Sequence, residues 1–322
     1  MKAIVCRAFG PIGDLEFAEV ETPVPGPREV LIRAEAIGVN YPDGLLVQGL
    51  YQARPQTPFV PGMEVVGEVV AVGGEVTRLR PGDRVGAVSS LGAYAEQVKA
   101  DEQAAMPLPP GADAGEVTAL MCGFGTAHHA LKQRAALRAR ETLVVTGAAG
   151  LTGLAAVQIG KAMGATVIAI ASSEAKRGVA LDSGADVALG YDNLKDTLKE
   201  ATGGEGADVA FDVVGGDVFD ALARAMAWNG RLLVVGFASG RIPQFPVNLA
   251  LVKGYSLVGV FWGSFTRHEP QVFADNMREL MGWYVEGKVR PHVETVLPLA
   301  RAVEALELIH SRGAVGKVVL KP

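Results

Sequence analysis

The amino-acid sequence predicts an α/β chain of two domains, a doubly wound parallel sheet joined to an antiparallel, barrel-like β domain. Three observations carry this expectation. Residues Thr142 to Gly153, T-L-V-V-T-G-A-A-G-L-T-G, form an apolar β-branched run that breaks into a glycine-rich turn and enters the helix-like L-A-A-V-Q-I-G-K-A-M-G. Between Gly123 and Trp262, six strand-like runs alternate with helical patterns: T-L-V-V-T-G, A-T-V-I-A-I-A, A-D-V-A-L-G, A-D-V-A-F-D-V-V-G, G-R-L-L-V-V-G and S-L-V-G-V-F. Such alternation is the signature of a parallel sheet with helices on both faces. Before Cys122 the pattern is different, with short strands set between Gly and Pro turns, as in P-V-P-G-P-R-E-V-L-I-R-A and R-P-G-D-R-V-G-A-V.

The blocks set the expected domains: residues 1–122 for the β domain, 123–262 for the parallel domain and 263–322 for a tail. That tail holds one helical stretch, Leu299 to His310, and a last strand, G-K-V-V-L-K-P. A lone helix and strand cannot make a core, so the tail is expected to return to the first domain. At 322 residues, 49% hydrophobic and 20% charged, the chain buries a large core. A net charge of -5 without basic clusters offers no footprint for nucleic acid or an anionic membrane. No apolar run reaches the roughly 20 residues of a membrane span, and M-K-A-I-V-C-R-A-F reads as a strand rather than a signal peptide, so a cytoplasmic protein is expected. Cys6 and Cys122 make neither a disulfide framework nor a C-x-x-C zinc cluster.

The turn after the first parallel strand has the spacing A-x-G-x-x-G. Ala148 and Gly150 keep it small enough for backbone to approach a pyrophosphate, and Gly153 permits close helix–strand packing. Backbone N–H groups of Ala149, Gly150, Leu151, Thr152 and Gly153, at the start of the helix, are placed to receive phosphate charge. A tight turn without a ligand is the alternative, but the following strand, Ala165 to Ala171, supplies the context of a dinucleotide site. At the tip of that strand an NAD site needs Asp or Glu, whereas this chain has Ser172, Ser173, Glu174, Lys176 and Arg177. Hydroxyls and a cation suit a 2′-phosphate, which favours NADPH. A solvated helix start is the other use of Lys176 and Arg177, and Glu174 two residues earlier would be an NAD-type acid.

Read together, G-V-N-Y-P-D (Gly38 to Asp43), G-L-Y-Q-A-R-P-Q-T-P-F-V-P-G-M-E (Gly49 to Glu64), R-P-G-D-R-V, G-A-Y-A-E, G-A-A-G-L-T-G and the terminal G-K-V-V-L resemble a zinc-independent medium-chain dehydrogenase/reductase of the quinone oxidoreductase type. The resemblance covers nearly the whole chain and implies a Rossmann domain plus a GroES-like catalytic domain. Two departures stand out: Leu151-Thr152 replace the usual Gly-Val, and Met63 stands where many relatives have Ser or a zinc-binding His. Zinc-dependent relatives need soft ligands where this chain offers Asn40-Tyr41 and Met63-Glu64, so no metal is expected.

What the resemblance implies for the site is specific. Without a Lewis acid, hydride transfer suits a quinone or the β-carbon of an α,β-unsaturated carbonyl, where conjugation already spreads the developing charge. Asn40, Tyr41 and Tyr51 are the candidate catalytic donors. Tyr51 corresponds to a tyrosine proposed as proton donor in enoyl thioester reductases and as a cofactor contact in quinone reductases, with ring packing as the simple alternative. Asn40, Thr126, Tyr191, Val214, Gly236, Phe237, Ala238, Val260, Phe261, Trp262 and Lys317 are carried over as cofactor contacts beside Ser172 and Lys176. For Lys317 an edge-strand lysine is the alternative, Asp43 reads as a cap, and Glu64 is expected to pair with an arginine.

The leading function is therefore an NADPH-dependent quinone reductase. An enone or enoyl-CoA reductase shares every motif, with Arg54, Arg241 and Arg267 as the cations a CoA would use, and a non-catalytic NADPH-binding protein is the third reading. Partners are a small-molecule substrate and a second copy of the chain, since Ser256 to Phe261 would leave an apolar sheet edge.

Overall fold

Alternating apolar residues build the first sheet. The computed structural model describes residues 1–322. Strand β1 (Lys2–Val5) pairs antiparallel with β2 (Glu16–Glu19). The long β3 (Glu29–Val39) then runs into helix α1 (Tyr41–Val47), with Asn40 as the residue between them. Strands β4 (Glu64–Val72), β5 (Arg84–Val88), β6 (Gln97–Asp101) and β7 (Ala105–Pro107) follow, and helix α2 (Ala114–Ala119) is capped by the Asp113 carboxylate on the Glu116 N–H. Val30, Ile32, Ile37, Val65, Val69 and Val85 are buried, so β3 and β4 contribute the centre of this core.

The second unit is the expected parallel sheet. Helix α3 (Gly125–His129) precedes β8 (Thr142–Thr146), and the phosphate-loop sequence leads into α4 (Leu151–Ala162). Then come β9 (Thr166–Ile170), α5 (Glu174–Asp182), β10 (Val187–Leu189), α6 (Leu194–Ala201), β11 (Ala207–Asp212), α7 (Gly216–Arg224), β12 (Met226–Val234), α8 (Asn248–Lys253) and β13 (Ser256–Gly259). Strand order is β10-β9-β8-β11-β12-β13, every pairing parallel. The order reverses direction at β8, which places a switch point beside the glycine-rich turn.

The chain divides into Met1–Cys122 with Pro291–Pro322, and Gly123–Arg290. The tail therefore returns to the first unit from Pro291, not from residue 263 as the sequence suggested. Helices α9 (Trp262–His268) and α10 (Pro270–Val285) stay with the second unit because their apolar stripe, Phe265, Phe273, Met277 and Leu280, is buried there. Phe265 stacks on His129 of α3 with ring centroids 3.7 Å apart, which fixes that packing. Beyond Pro291, β14 (Val293–Pro298), α11 (Ala302–His310) and β15 (Lys317–Lys321) complete the first unit. Strand β15 lies between β14 and β3, in the order β14-β15-β3-β4-β5-β7, so Lys317 is not an edge-strand residue.

Close approach in the second unit depends on Gly153. A Cβ there would lie 2.2 Å from the Gly147 carbonyl oxygen and 2.8 Å from Ala148 Cα, both backbone atoms that cannot yield without moving the turn. Gly153→Ala is expected to lower stability by about 1–3 kcal/mol, the usual range for overpacking, and to weaken dinucleotide binding with it. Thermal melts and a dinucleotide fluorescence titration check this; a variant that melts and binds like wild type would remove the packing role of Gly153.

Candidate functional site

Parallel strands end on one side of the second unit, and the residues carried over from the family cluster at those ends. Ser172 follows β9, Val214 follows β11, Gly236, Phe237 and Ala238 follow β12, and Val260 and Phe261 follow β13. Ala149 is buried in the turn after β8, and Gly150 precedes the first turn of α4 with Leu151, Thr152 and Gly153. The turn after β8 therefore has the small-residue clearance that the sequence predicts. Leu151 uses the space left by Gly123, where a Cβ would come within 2.4 Å of its Cγ. The Leu-Thr departure in the motif is thus matched by a glycine on the facing segment.

Tyr191 does more than border this turn. Its hydroxyl accepts the Gly147 N–H at 3.1 Å and donates to the Ile170 carbonyl at 3.4 Å, linking the glycine-rich turn to the end of β9. Ser173 caps α5 by accepting the Lys176 N–H, so Glu174 falls in the first helical turn rather than at the strand tip. Thr126 sits on α3. Trp262 has its ring against Gly125 and edge-on to Phe273, so its side chain belongs to the core.

Sequence reasoning missed Asp212 and Thr146. Thr146 Oγ1 donates to Asp212 Oδ1 at 2.6 Å, and the same carboxylate accepts the Val214 and Gly215 N–H groups. Burial raises the Asp212 carboxyl pKa against these bonds, and the bonds hold the loop that carries Val214. Its only signal was a lone Asp ending an apolar strand, A-D-V-A-F-D.

In the first unit the candidate donors hang from a buried polar cluster. Lys317 and Glu64 are both fully buried and form an ion pair. Lys317, not the expected arginine, is therefore the partner of Glu64, because β15 sets its first residue beside the end of β3. Lys317 Nζ also donates to Val39 O and Asn40 Oδ1, each at 3.1 Å. Asn40 Nδ2 donates to Glu64 Oε1 at 2.8 Å, and Glu64 Oε2 accepts the Cys122 N–H at 2.8 Å. Burial, reinforced by the Glu64 charge, holds the Cys122 thiol pKa well above its ordinary value.

Helix α1 begins over this cluster. The Asp43 carboxylate accepts the Asn40 N–H at 2.8 Å and the Tyr94 hydroxyl at 2.9 Å, which makes Asp43 a cap. Tyr41 stacks on His310 of the tail, with centroids 4.4 Å apart and planes 15° from parallel, and His310 Nε2 donates to the Tyr41 carbonyl at 3.1 Å. Nothing in the sequence pointed to His310, which is 269 residues away. Burial lowers its imidazole pKa. Tyr51 packs its half-buried ring against the core of this unit.

Residues 26–111 match the family described as alcohol dehydrogenase GroES-like domain, and residues 152–281 match that described as zinc-binding dehydrogenase. A quinone oxidoreductase-like protein 2 homolog of Nematostella vectensis is 38% identical over 324 residues, 99% of this chain and 88% of that one. A mycobacterial protein solved complexed with NADPH superposes with a TM-score of 0.95 at 34% identity, covering all of both chains. The Escherichia coli quinone oxidoreductase complexed with NADPH gives 0.94 at 27% identity, again over both chains in full.

Zinc does not fit the residues present. Asn40 and Met63 are poor ligands, the Glu64 carboxylate is engaged by the Lys317 ammonium, and no three His, Cys, Asp or Glu side chains converge to hold a metal.

Asp43 gives the site a pH dependence. Burial first raises its pKa, to about 7, and the nearby Glu64 charge adds to this, while the Asn40 and Tyr94 hydrogen bonds and the Lys317 charge pull it down. Its Oδ1 is buried without a hydrogen-bond partner. A carboxyl raised from an ordinary value near 3.9 holds its proton longer in the folded chain, so its contribution is present below about pH 4 and is lost as pH rises through about 7. The melting temperature of wild type relative to Asp43→Asn should fall between about pH 4 and pH 7 and level off above. Melting curves of the two proteins that run parallel over that range would overturn this.

Proposed function

The chain belongs to the medium-chain dehydrogenase/reductase family, among its quinone oxidoreductase-like members, and from that premise we propose that it is an NADPH-dependent, zinc-independent quinone oxidoreductase. One observation carries the reading: the Asn40 carboxamide, which by the resemblance stands at a ligand position of zinc-dependent relatives, is held by a buried ammonium–carboxylate pair, so hydrogen-bond donors would do the work of polarisation. Bound NADPH supplies a hydride from nicotinamide C4. A quinone suits such a site, because its reduced oxygens form a stabilised hydroquinone anion that water protonates.

Ala149, Gly150, Leu151, Thr152 and Gly153 would hold the pyrophosphate, and Ser172 and Lys176 the 2′-phosphate. Val214, Gly236, Phe237, Ala238, Val260 and Phe261 would line the nicotinamide half at the strand ends. On the first unit, Asn40 and Tyr41 orient the acceptor and Tyr51 supplies a phenol that stays protonated near neutral pH.

Reduction of an activated carbon–carbon double bond is the second reading, favoured by Tyr51 in G-L-Y. A CoA thioester is disfavoured, since Arg241 is paired with Asp217 and Asp220, and Arg54 donates to the Gly49 carbonyl.

The same reading makes the chain a homodimer. Strand β13 is the last of its sheet, and Trp228, Val247, Leu251, Val252 and Leu257 are exposed beside it, Leu251 by 81%. Trp228 lies over Gly254 at the end of α8, and a second copy would cover these exposed apolar side chains.

NADPH should bind at least about tenfold more tightly than NADH, the value of one charge-assisted phosphate contact, and Lys176→Ala should erase most of that difference. Equal dissociation constants for the two dinucleotides in wild type would refute the assignment.

Tyr51→Phe separates the two substrate classes. It should cut enone turnover by about a hundredfold while changing quinone turnover only a few-fold, with NADPH affinity unaltered. Full rates with both classes would reduce Tyr51 to a packing residue.

A further inference from the structure

Asn40 is flanked by two groups whose chemistry permits its carboxamide one orientation. A carboxylate only accepts hydrogen bonds, and an ammonium only donates them. Glu64 Oε1 accordingly faces Asn40 Nδ2 at 2.8 Å, and Lys317 Nζ faces Asn40 Oδ1 at 3.1 Å. Turning the amide over would set its hydrogens against the ammonium and its oxygen against the carboxylate, two repulsions in an interior where charges are weakly screened.

The pair itself has no freedom to follow such a turn. Lys317 spends its remaining donor on Val39 O, and Glu64 spends its second oxygen on the Cys122 N–H. Strand β3 leaves space for the carboxylate only because residue 38 is glycine; a Cβ there would lie 2.1 Å from Glu64 Oε1. A buried ion pair adds little net stability compared with apolar side chains of the same size, so fold stability alone does not account for this arrangement.

We propose that the Glu64–Lys317 pair is a positioning device for Asn40, which fixes the carboxamide so that its second N–H, never its oxygen, is offered to a bound carbonyl. The carbonyl belongs to the electron acceptor, and only this assignment rests on the reductase reading above. Asn40 thereby selects ligands that present an oxygen acceptor at this point and rejects those that present a donor.

The test uses the full chain labelled with 15N-asparagine. Its asparagines are Asn40, Asn193, Asn229, Asn248 and Asn276, so five carboxamide pairs appear, and the pair lost in Asn40→Ala identifies Asn40. In wild type, one Asn40 Nδ2 proton should exchange with water at least about tenfold more slowly than the other. Equal exchange of the two overturns the proposal without reference to any activity.

In Glu64→Gln with Lys317→Met both buried charges leave together, so the fold should persist. There the protection should vanish, kcat should fall about tenfold or more, and KM for NADPH should stay within about threefold. Adding Asn40→Ala to this variant should change kcat less than about twofold, whereas in wild type it should cost as much as the pair, since residues acting through one another are not additive. A folded double variant with an unchanged Asn40 signal, or with additive losses, refutes positioning. Glu64→Leu with Lys317→Met is the second variant should the first not melt cooperatively.

Titration with menadione should shift the other Asn40 Nδ2 proton, and no shift at saturating menadione overturns the assignment of the carbonyl. If wild type transfers no hydride from NADPH to menadione or to an enone, the reductase reading fails while the exchange measurement still decides the positioning.

Discussion

The first unit is organised around a desolvated charge pair that has to be satisfied completely. Removing an ammonium and a carboxylate from water costs several kcal/mol per ion unless every donor and acceptor finds a partner. Here the three ammonium donors reach Glu64, Val39 O and Asn40 Oδ1, and the carboxylate meets Lys317, Asn40 and the Cys122 N–H. That requirement ties together the first residues of β4 and β15, the end of β3 and the last residue before the second unit. Displacing any one of them leaves a donor or acceptor of the pair unsatisfied in the interior, which links the register of β15 against β3 to the placement of Asn40.

From that anchor the candidate chemistry is built outward in steps. Asn40 both contacts the pair and begins α1, and Asp43 returns its carboxylate to the Asn40 N–H while accepting Tyr94. His310 then holds Tyr41 by stacking and by its carbonyl. Gly44 is required for this, since a Cβ at that position would lie 2.0 Å from His310 Nε2. Two of the three proposed donors are therefore oriented by the C-terminal tail, which explains how a strand and a helix from the end of the chain bear on the function of its beginning.

Polar groups organise the second unit by similar means, through neutral donors rather than an ion pair. Asp212 gathers Thr146 and two backbone N–H groups at the end of β11, and Tyr191 bridges the glycine-rich turn to β9. Each satisfies loop N–H groups that have no ladder partner, and so holds strand ends in a shape that a ligand need not induce. The small-residue clearances at Gly153 and Gly123 act on the same turn from the packing side.

Local pattern was enough to read the six parallel strands, the turn between β8 and α4 and the capping role of Asp43, because strand periodicity, glycine spacing and caps are properties of contiguous residues. Family motifs pointed to Asn40, Tyr51 and Lys317 as residues of interest. Sequence could not give the partner of Glu64, the stack of His310 on Tyr41 or the place where the tail leaves the second unit. Those depend on which distant segment is brought alongside, across 253 residues for Glu64 and Lys317 and 269 for Tyr41 and His310. The apolar stripe of α10 illustrates the limit: its spacing states that one face is buried, but only the packing of Phe273 on Trp262 and of Trp283 on His128 decided against which unit. Hydrophobic burial carries no address, whereas directional hydrogen bonds and steric clearances do, and these exist only once the segments have met.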